Sequence, residues 1–144
     1  MIKYSDDLKG ITARKLGGFF VGWPNPPKPA AHLKLLRGSD LTVLAVDGGR
    51  VVGFITAITD GVLAAYIPFL EVLPEYQGRG IGGQLVKRML RKLGKAYMVD
   101  LLCDKELQQF YKRFKMFPAT GMMLRNRRSQ CGANILPKKL GAVP

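Results

Sequence analysis

The sequence predicts an α/β fold, a mixed and mostly antiparallel sheet with flanking helices, and three observations carry that prediction. Three apolar, β-branched runs follow one another at residues 41–46, 50–59 and 62–72, separated by Asp47-Gly48-Gly49 and Asp60-Gly61, both with hairpin turn chemistry. A glycine-rich turn then opens an amphipathic helix, and a further apolar run at residues 96–103 follows that helix. Short turns make the first three strands an antiparallel meander. A strand–helix–strand unit this compact crosses over right-handedly to a parallel neighbour.

The elements follow in chain order. Pro24-Asn25-Pro26-Pro27-Lys28-Pro29 is a rigid break, and residues 30–37 read as a short helix stopped by Gly38, with His32 on its surface. After the meander, residues 80–93 form the amphipathic helix. Ile81, Leu85, Val86, Met89, Leu90 and Leu93 cover one half of its wheel, and Gln84, Lys87, Arg88 and Arg91 take the other. Gly94 ends it, and residues 96–103 read as a buried strand in which Cys103 is a small core residue. Leu107, Phe110, Tyr111 and Phe114 recur at helical spacing in a second helix that Pro118 closes. Residues 120–125 suit a last strand, and 129–144 a loose basic extension of one domain spanning 1–144.

Composition narrows the functional classes. A chain of 144 residues, 47% hydrophobic and 23% charged, is globular and large enough for one sizeable core. No apolar run is long enough to span a bilayer, and Lys3, Asp6 and Asp7 are unlike a signal peptide. Cys103 and Cys131 form neither a metal motif nor a disulfide framework, so no metal and a reduced cytoplasmic setting are expected. The net charge of +13 suits solvated helix faces, a polyanionic cofactor, or an acidic or nucleic-acid partner. No recognised nucleic-acid motif accompanies it, and such a partner is not expected. A homodimer stays open.

The glycine-rich turn carries the chemistry. Gly78, Gly80, Gly82 and Gly83 stand between a strand and a helix, where converging backbone N–H groups and the helix dipole make an anion site. A Walker phosphate loop is excluded, because Gln84 follows Gly83 where Lys is needed. Gly78, Gly80 and Gly83 also satisfy the dinucleotide fingerprint, with Asp100 at the spacing of a ribose-binding acid. Too little chain follows Asp100 to finish a dinucleotide domain, however, and the strands ahead of the loop are antiparallel.

The remaining pattern is Gln77-x-x-Gly80-x-Gly82 after Leu70-Glu71-Val72-Leu73-Pro74, with Phe110-Tyr111 on the next helix. Together these resemble the GNAT N-acetyltransferase superfamily over residues 41–118, with Gly53-Phe54-Ile55 and Gly121-Met122 suiting its small bacterial and chloroplast-type members. The resemblance implies a sheet with a splayed parallel strand pair and acetyl-CoA as cosubstrate. It implies that Leu70 and Val72 pair with the pantetheine arm. Gln77, Gly78, Arg79, Gly80, Ile81, Gly82 and Gly83 would then form the pyrophosphate loop. Pro68 cannot donate to a ladder, so it marks either the family's splay or a strand nearing a sheet edge.

Acetyl transfer needs a neutral amine and a protonated or held thiolate. Tyr111 stands where the family often places the tyrosine that serves the thiolate, although it also shares an apolar stripe. Glu71, an acid in an apolar strand beside the expected thioester, suits the base; alternation could equally aim it at solvent or into an ion pair. Asp104 falls where many members touch the pantetheine, and could instead cap the helix beginning at Lys105. Asp60 serves its turn. The aromatic run Phe19-Phe20-Val21-Gly22-Trp23 could wall an acceptor pocket or pack on the sheet. Lys115 replaces a family glycine, so a positive φ there would be strained.

The expected function is acetyl transfer by direct attack of a primary amine, on a small molecule or at a protein N-terminus or lysine. The alternative is a CoA-binding module whose basic surface serves ribosomal or nucleic-acid partners.

Overall fold

The computed structural model describes residues 1–136. Residues 137–144, with Lys138 and Lys139, lie outside the described residues, and so does the second half of the expected basic extension. The sheet begins with β1 (Lys3–Ser5), which pairs antiparallel with β2 (Leu41–Asp47). β2 turns into β3 (Arg50–Thr59) through Gly48 and Gly49, at φ 54° and 82°, a left-handed turn that glycine enters without a Cβ clash. The turn after β3 is held by Asp60, whose carboxylate accepts the N–H groups of Val62 (2.8 Å), Leu63 (2.8 Å) and Ala64 (3.2 Å). These bonds keep its carboxyl below the usual carboxylate range.

The third run, predicted as one strand over 62–72, divides at Pro68 into β4 (Ala64–Tyr66) and β5 (Leu70–Val72). Both lie antiparallel on the same edge of β3, β4 against Ile58 and Thr59 and β5 against Gly53, Phe54 and Ile55. Behind the helix, β6 (Met98–Asp100) runs parallel to β4 alone, the last ladder bond passing from Ile67 N–H to the Asp100 carbonyl at 3.0 Å. The expected parallel neighbour is therefore present.

The helices close the two faces of the sheet. α1 (Pro29–Gly38) lies on one side and α2 (Ile81–Lys92) on the other. Ile81, Leu85, Val86 and Met89 are buried against β2 and β3, the stripe the wheel predicts. Gly53 makes that approach feasible, since a β-carbon there would sit 3.2 Å from Leu85 Cδ1 and 3.3 Å from the Glu71 carbonyl. Part of the basic face of α2 holds β1, with Arg88 stacked 4.5 Å over the Tyr4 ring and Lys92 paired to Asp6. On the opposite face, Phe54 is fully buried under Phe19 (ring centroids 5.2 Å) and His32 (4.4 Å).

Four expectations need correction. His32 is a core residue, 1% exposed, with neither ring nitrogen hydrogen-bonded, because its face of α1 meets the aromatic cluster rather than water. The 96–103 run pairs over three residues only and is not buried: Met98 is 39% exposed and Asp100 is exposed, as befits a strand with a ladder on one side. The second helix is shorter than predicted, a turn at Lys105–Leu107 followed by α3 (Gln108–Lys112). It stops well before Pro118, and Lys115 beyond it has φ 64°. Residues 120–125 form no strand. Pro118 lacks an N–H, and Gly121 approaches Leu102 so closely that a β-carbon would come within 2.6 Å of Cδ2, a side-chain contact in place of a ladder.

Candidate active site

The break at Pro68 produces a wedge in the sheet. β6 follows β4 as far as Asp100, while β5 stays with β3, and the chain beyond Asp100 has no ladder to β5. Between them opens a cavity of about 670 Å3, with Leu70, Glu71 and Val72 on one wall and Leu101, Cys103 and Asp104 on the other. The β3–β5 ladder uses Leu73 N–H to the Val52 carbonyl (2.9 Å) and Thr56 N–H to the Phe69 carbonyl (3.1 Å). Antiparallel alternation therefore turns the backbone groups of Leu70 and Val72 away from β3 and into the wedge. The Val72 carbonyl accepts Gln77 Nε2 at 3.0 Å, so Gln77 ties the loop to β5.

The loop itself is a turn at Pro74–Tyr76 followed by Gly78 and Gly80 at φ 77° and 79°. The first bond of α2 runs from Gln84 N–H to the Gly80 carbonyl at 3.1 Å. Among the described residues, no N–H from 78 to 83 finds an acceptor, so the loop and the first turn of α2 leave six donors unpaired at the positive end of the helix dipole. Arg79 folds back along the turn, 4.9 Å from the Tyr76 ring centroid. Gly82 and Gly83 admit α3: β-carbons there would lie 3.6 Å from Phe110 Cζ and 3.7 Å from Phe114 Cζ.

Five titratable groups line the wedge, Glu71, Cys103, Asp104, Tyr111 and Arg125. Tyr111 packs edge-on to Phe110 (4.9 Å) and forms a wall between the wedge and a second cavity of about 530 Å3 beneath residues 114–121. Burial above all, with the neighbouring Cys103 thiol adding to it, pushes its phenol up to about 12. Glu71 is half-buried and, among the described residues, makes no ion pair. Its oxygens accept the Phe20 N–H at 2.8 and 2.9 Å, and Oε2 accepts the Val21 N–H at 3.3 Å. Asp104 occupies the capping position before Lys105, but it is its carbonyl that takes the Leu107 N–H (2.9 Å); its carboxylate makes no cap bond.

Comparisons with known proteins bear on the family of the chain. The family model of the GNAT acetyltransferases matches residues 10–116. The chain belongs to the GNAT acetyltransferase family. A solved structure from Deinococcus radiodurans R1, described as an acetyltransferase, is 43% identical with a TM-score of 0.90, covering 92% of this chain and 94% of that one. A GNAT family acetyltransferase structure from Streptococcus pneumoniae TIGR4 is 31% identical with a TM-score of 0.66, covering 88% and 98% of the two chains. Among curated proteins, an acetyltransferase of Sodalis glossinidius is 41% identical over 70 residues, covering 48% of this chain and 48% of its own length. The chloroplastic GCN5-related N-acetyltransferase 2 of Arabidopsis thaliana is 28% identical over 127 residues, covering 74% of this chain and 47% of its own length. The chain spans about half the length of the curated relatives it matches.

Within this GNAT chain, Leu70, Glu71, Val72, Gln77, Asp104 and Tyr111 of the residues singled out from the sequence line one cavity, and the glycine loop follows directly on Gln77. Loop donors and an open strand edge suit a ligand with a diphosphate and an amide-bearing arm. Met123 and Arg125 also line the cavity and were not singled out for it. Their one signal in the sequence is the basic run from Arg125 to Arg128, which gives no position in space. In the aromatic run, Phe19 and Phe20 are buried in the core, and Phe20 and Trp23 also line the cavity. Among the described residues there is no cluster of three or more metal-ligating side chains, and no helix long and apolar enough to cross a membrane.

Proposed function

We propose that the chain transfers an acetyl group from acetyl-CoA to a primary amine by direct attack within the wedge. The observation that carries this reading is the open β5 edge on the cavity, with Gln77 on its lining tying β5 to the adjoining loop of unpaired donors. Acetyl-CoA supplies an activated thioester. Gly78, Arg79, Gly80, Ile81, Gly82 and Gly83 hold the pyrophosphate through backbone N–H groups, and Gln77 fixes the loop that presents them. Leu70 and Val72 pair with the pantetheine arm, with Asp104 across from them.

The reacting groups follow from the walls. Glu71 receives the ammonium proton through a water, the neutral amine nitrogen forms its bond to the carbonyl carbon and gives its second proton to solvent, and the carbon–sulfur bond breaks. The sulfur leaves as a thiolate, and Tyr111 donates the proton it needs. A phenol at about 12 is protonated at every physiological pH and is therefore a donor in its resting state. Tyr111 then recovers its proton from solvent.

The test is acetyl-CoA-dependent release of free thiol with a panel of primary amines, repeated with Tyr111→Phe. Release that needs the amine and falls in the variant supports the reading. No release with any amine would overturn it.

A further inference from the structure

The two ends of the wedge differ in chemistry. One end meets the glycine loop. The other is walled by Phe20, Trp23 and Phe69, whose rings pack on one another with centroids 5.0 Å apart for Phe20–Trp23, 6.1 Å for Phe20–Phe69 and 6.5 Å for Trp23–Phe69. The chain after α3 crosses this second end. It is pinned at Gly121 against Leu102, and again at Gln130, whose Oε1 accepts the Asn25 N–H at 2.7 Å. Between these pins, Arg125 reaches the cavity wall.

Arg125 has no acidic partner among the described residues, and its hydrogen bond is a 3.3 Å contact to the Leu124 carbonyl. No acid follows Glu106 in the sequence, while Arg127 and Arg128 stand close behind Arg125. Of the carboxylates on the cavity, Glu71 is committed to the Phe20 and Val21 N–H groups, and Asp104 lies at the turn before α3. A guanidinium without a counter-ion, exposed at a cavity walled in part by aromatic rings, is a fork for a carboxylate or phosphate.

We propose that the acceptor is a small amine carrying an anionic group, carboxylate or phosphate, on an apolar or aromatic body. Phe20 and Trp23 cover the body, Arg125 binds the anion, and the amine is left facing Phe69 and Glu71. This deepens the acetyltransfer reading and rests on it. The same charge disfavours polyamines.

The probes are benzylamine, 4-(aminomethyl)benzoate, (4-aminomethyl)phenylphosphonate and spermidine, each followed by thiol release and by calorimetric binding to the protein–CoA complex. We expect kcat/KM for at least one anionic probe to exceed that of benzylamine by about tenfold or more, spermidine to be the poorest, and the gain to fall on KM. Arg125→Gln should bring the anionic-to-neutral ratio toward one, and Arg125→Glu should invert it. The carboxylate and phosphonate arms separate the two anions. Equal efficiency of anionic and neutral probes, or an equal loss for both in Arg125→Gln, overturns the proposal. If nothing is acetylated, binding decides: Arg125-dependent preference for an anionic probe sustains the acceptor class while the acetyltransfer reading fails, and no preference overturns both.

Discussion

Both carboxylate oxygens of Glu71 accept the backbone N–H of Phe20, at 2.8 and 2.9 Å, across 51 positions of sequence. Phe20 sits at φ 62°, a left-handed conformation that a bulky side chain enters only when its surroundings over-determine it. The acid in the wedge therefore also shapes the wedge. It draws the N-terminal segment onto the sheet and sets Phe20 against Trp23 and Phe69.

From this dual contact, Glu71→Gln should lose stability and turnover together. The amide oxygen can keep both N–H donors from the Oε2 position, but losing the charge and setting an NH2 beside the Phe20 N–H should cost about 1 kcal/mol in denaturant unfolding. Loss of the proton acceptor should lower kcat about a hundredfold. Full turnover at neutral pH in a folded Glu71→Gln protein would remove Glu71 from the proton path.

For Tyr111, the raised pKa sets the expected pH profile. The phenol stays protonated until about pH 12, so its own ionisation should put no alkaline limb on kcat below pH 10. Tyr111→Phe should lower kcat tenfold or more with little change in Tm. A wild-type alkaline limb near pH 8 that disappears in Tyr111→Phe would contradict the assignment.

His32 should make the fold acid-sensitive. Burial lowers its pKa from 6.5 to about 4, so between those values the unfolded chain binds a proton that the native state does not. Stability should fall as pH falls through that window, by roughly 3 kcal/mol in all, and show no further slope from this group below it. In His32→Leu that slope should be absent from unfolding curves measured between pH 7 and 4. An unchanged slope would assign the sensitivity elsewhere.

The loop glycines should separate by backbone conformation. Gly80→Ala forces a β-carbon into φ 79° and should lower stability by about 1 kcal/mol, along with acetyl-CoA affinity in a thermal-shift titration. Gly82 has no positive φ, and a β-carbon there would meet Phe110 at an ordinary 3.6 Å. Gly82→Ala should hold Tm close to wild type. Equal losses in both would mean that space, rather than φ, decides.

Lys115→Gly should stabilise the protein by about 1 kcal/mol, since glycine carries no penalty at φ 64°. Differential scanning calorimetry of the two proteins reads this directly. A lower Tm in the variant would show that the Lys115 side chain contributes more than the strain it bears.

What could be read in advance was local. Gly48-Gly49 announces its hairpin, the stripe from Ile81 to Met89 announces α2, and Pro68 announces a break because it has no N–H to give. Other features depend on what lies opposite in space. Nothing around His32 in the sequence tells that Phe19 and Phe54 will enclose it. Apolar composition at 96–103 cannot distinguish a buried strand from an edge that pairs over Met98–Asp100 and then departs. The residues of the candidate site were named largely through resemblance, and the geometry brings Leu70, Glu71, Val72, Gln77, Asp104 and Tyr111 to one cavity without testing what each does. Arg125 escaped notice because its position depends on two distant pins, Leu102 and Asn25.

β3 serves β4 and β5 on one edge, while β6 follows β4 alone, and that division has a consequence for how the cavity works. The gap is written into the covalent path of the chain, so no hinge has to swing to create it. An extended molecule laid along Leu70 and Val72 would complete the sheet as a borrowed strand. The native protein is, in that sense, a sheet left open along one strand edge.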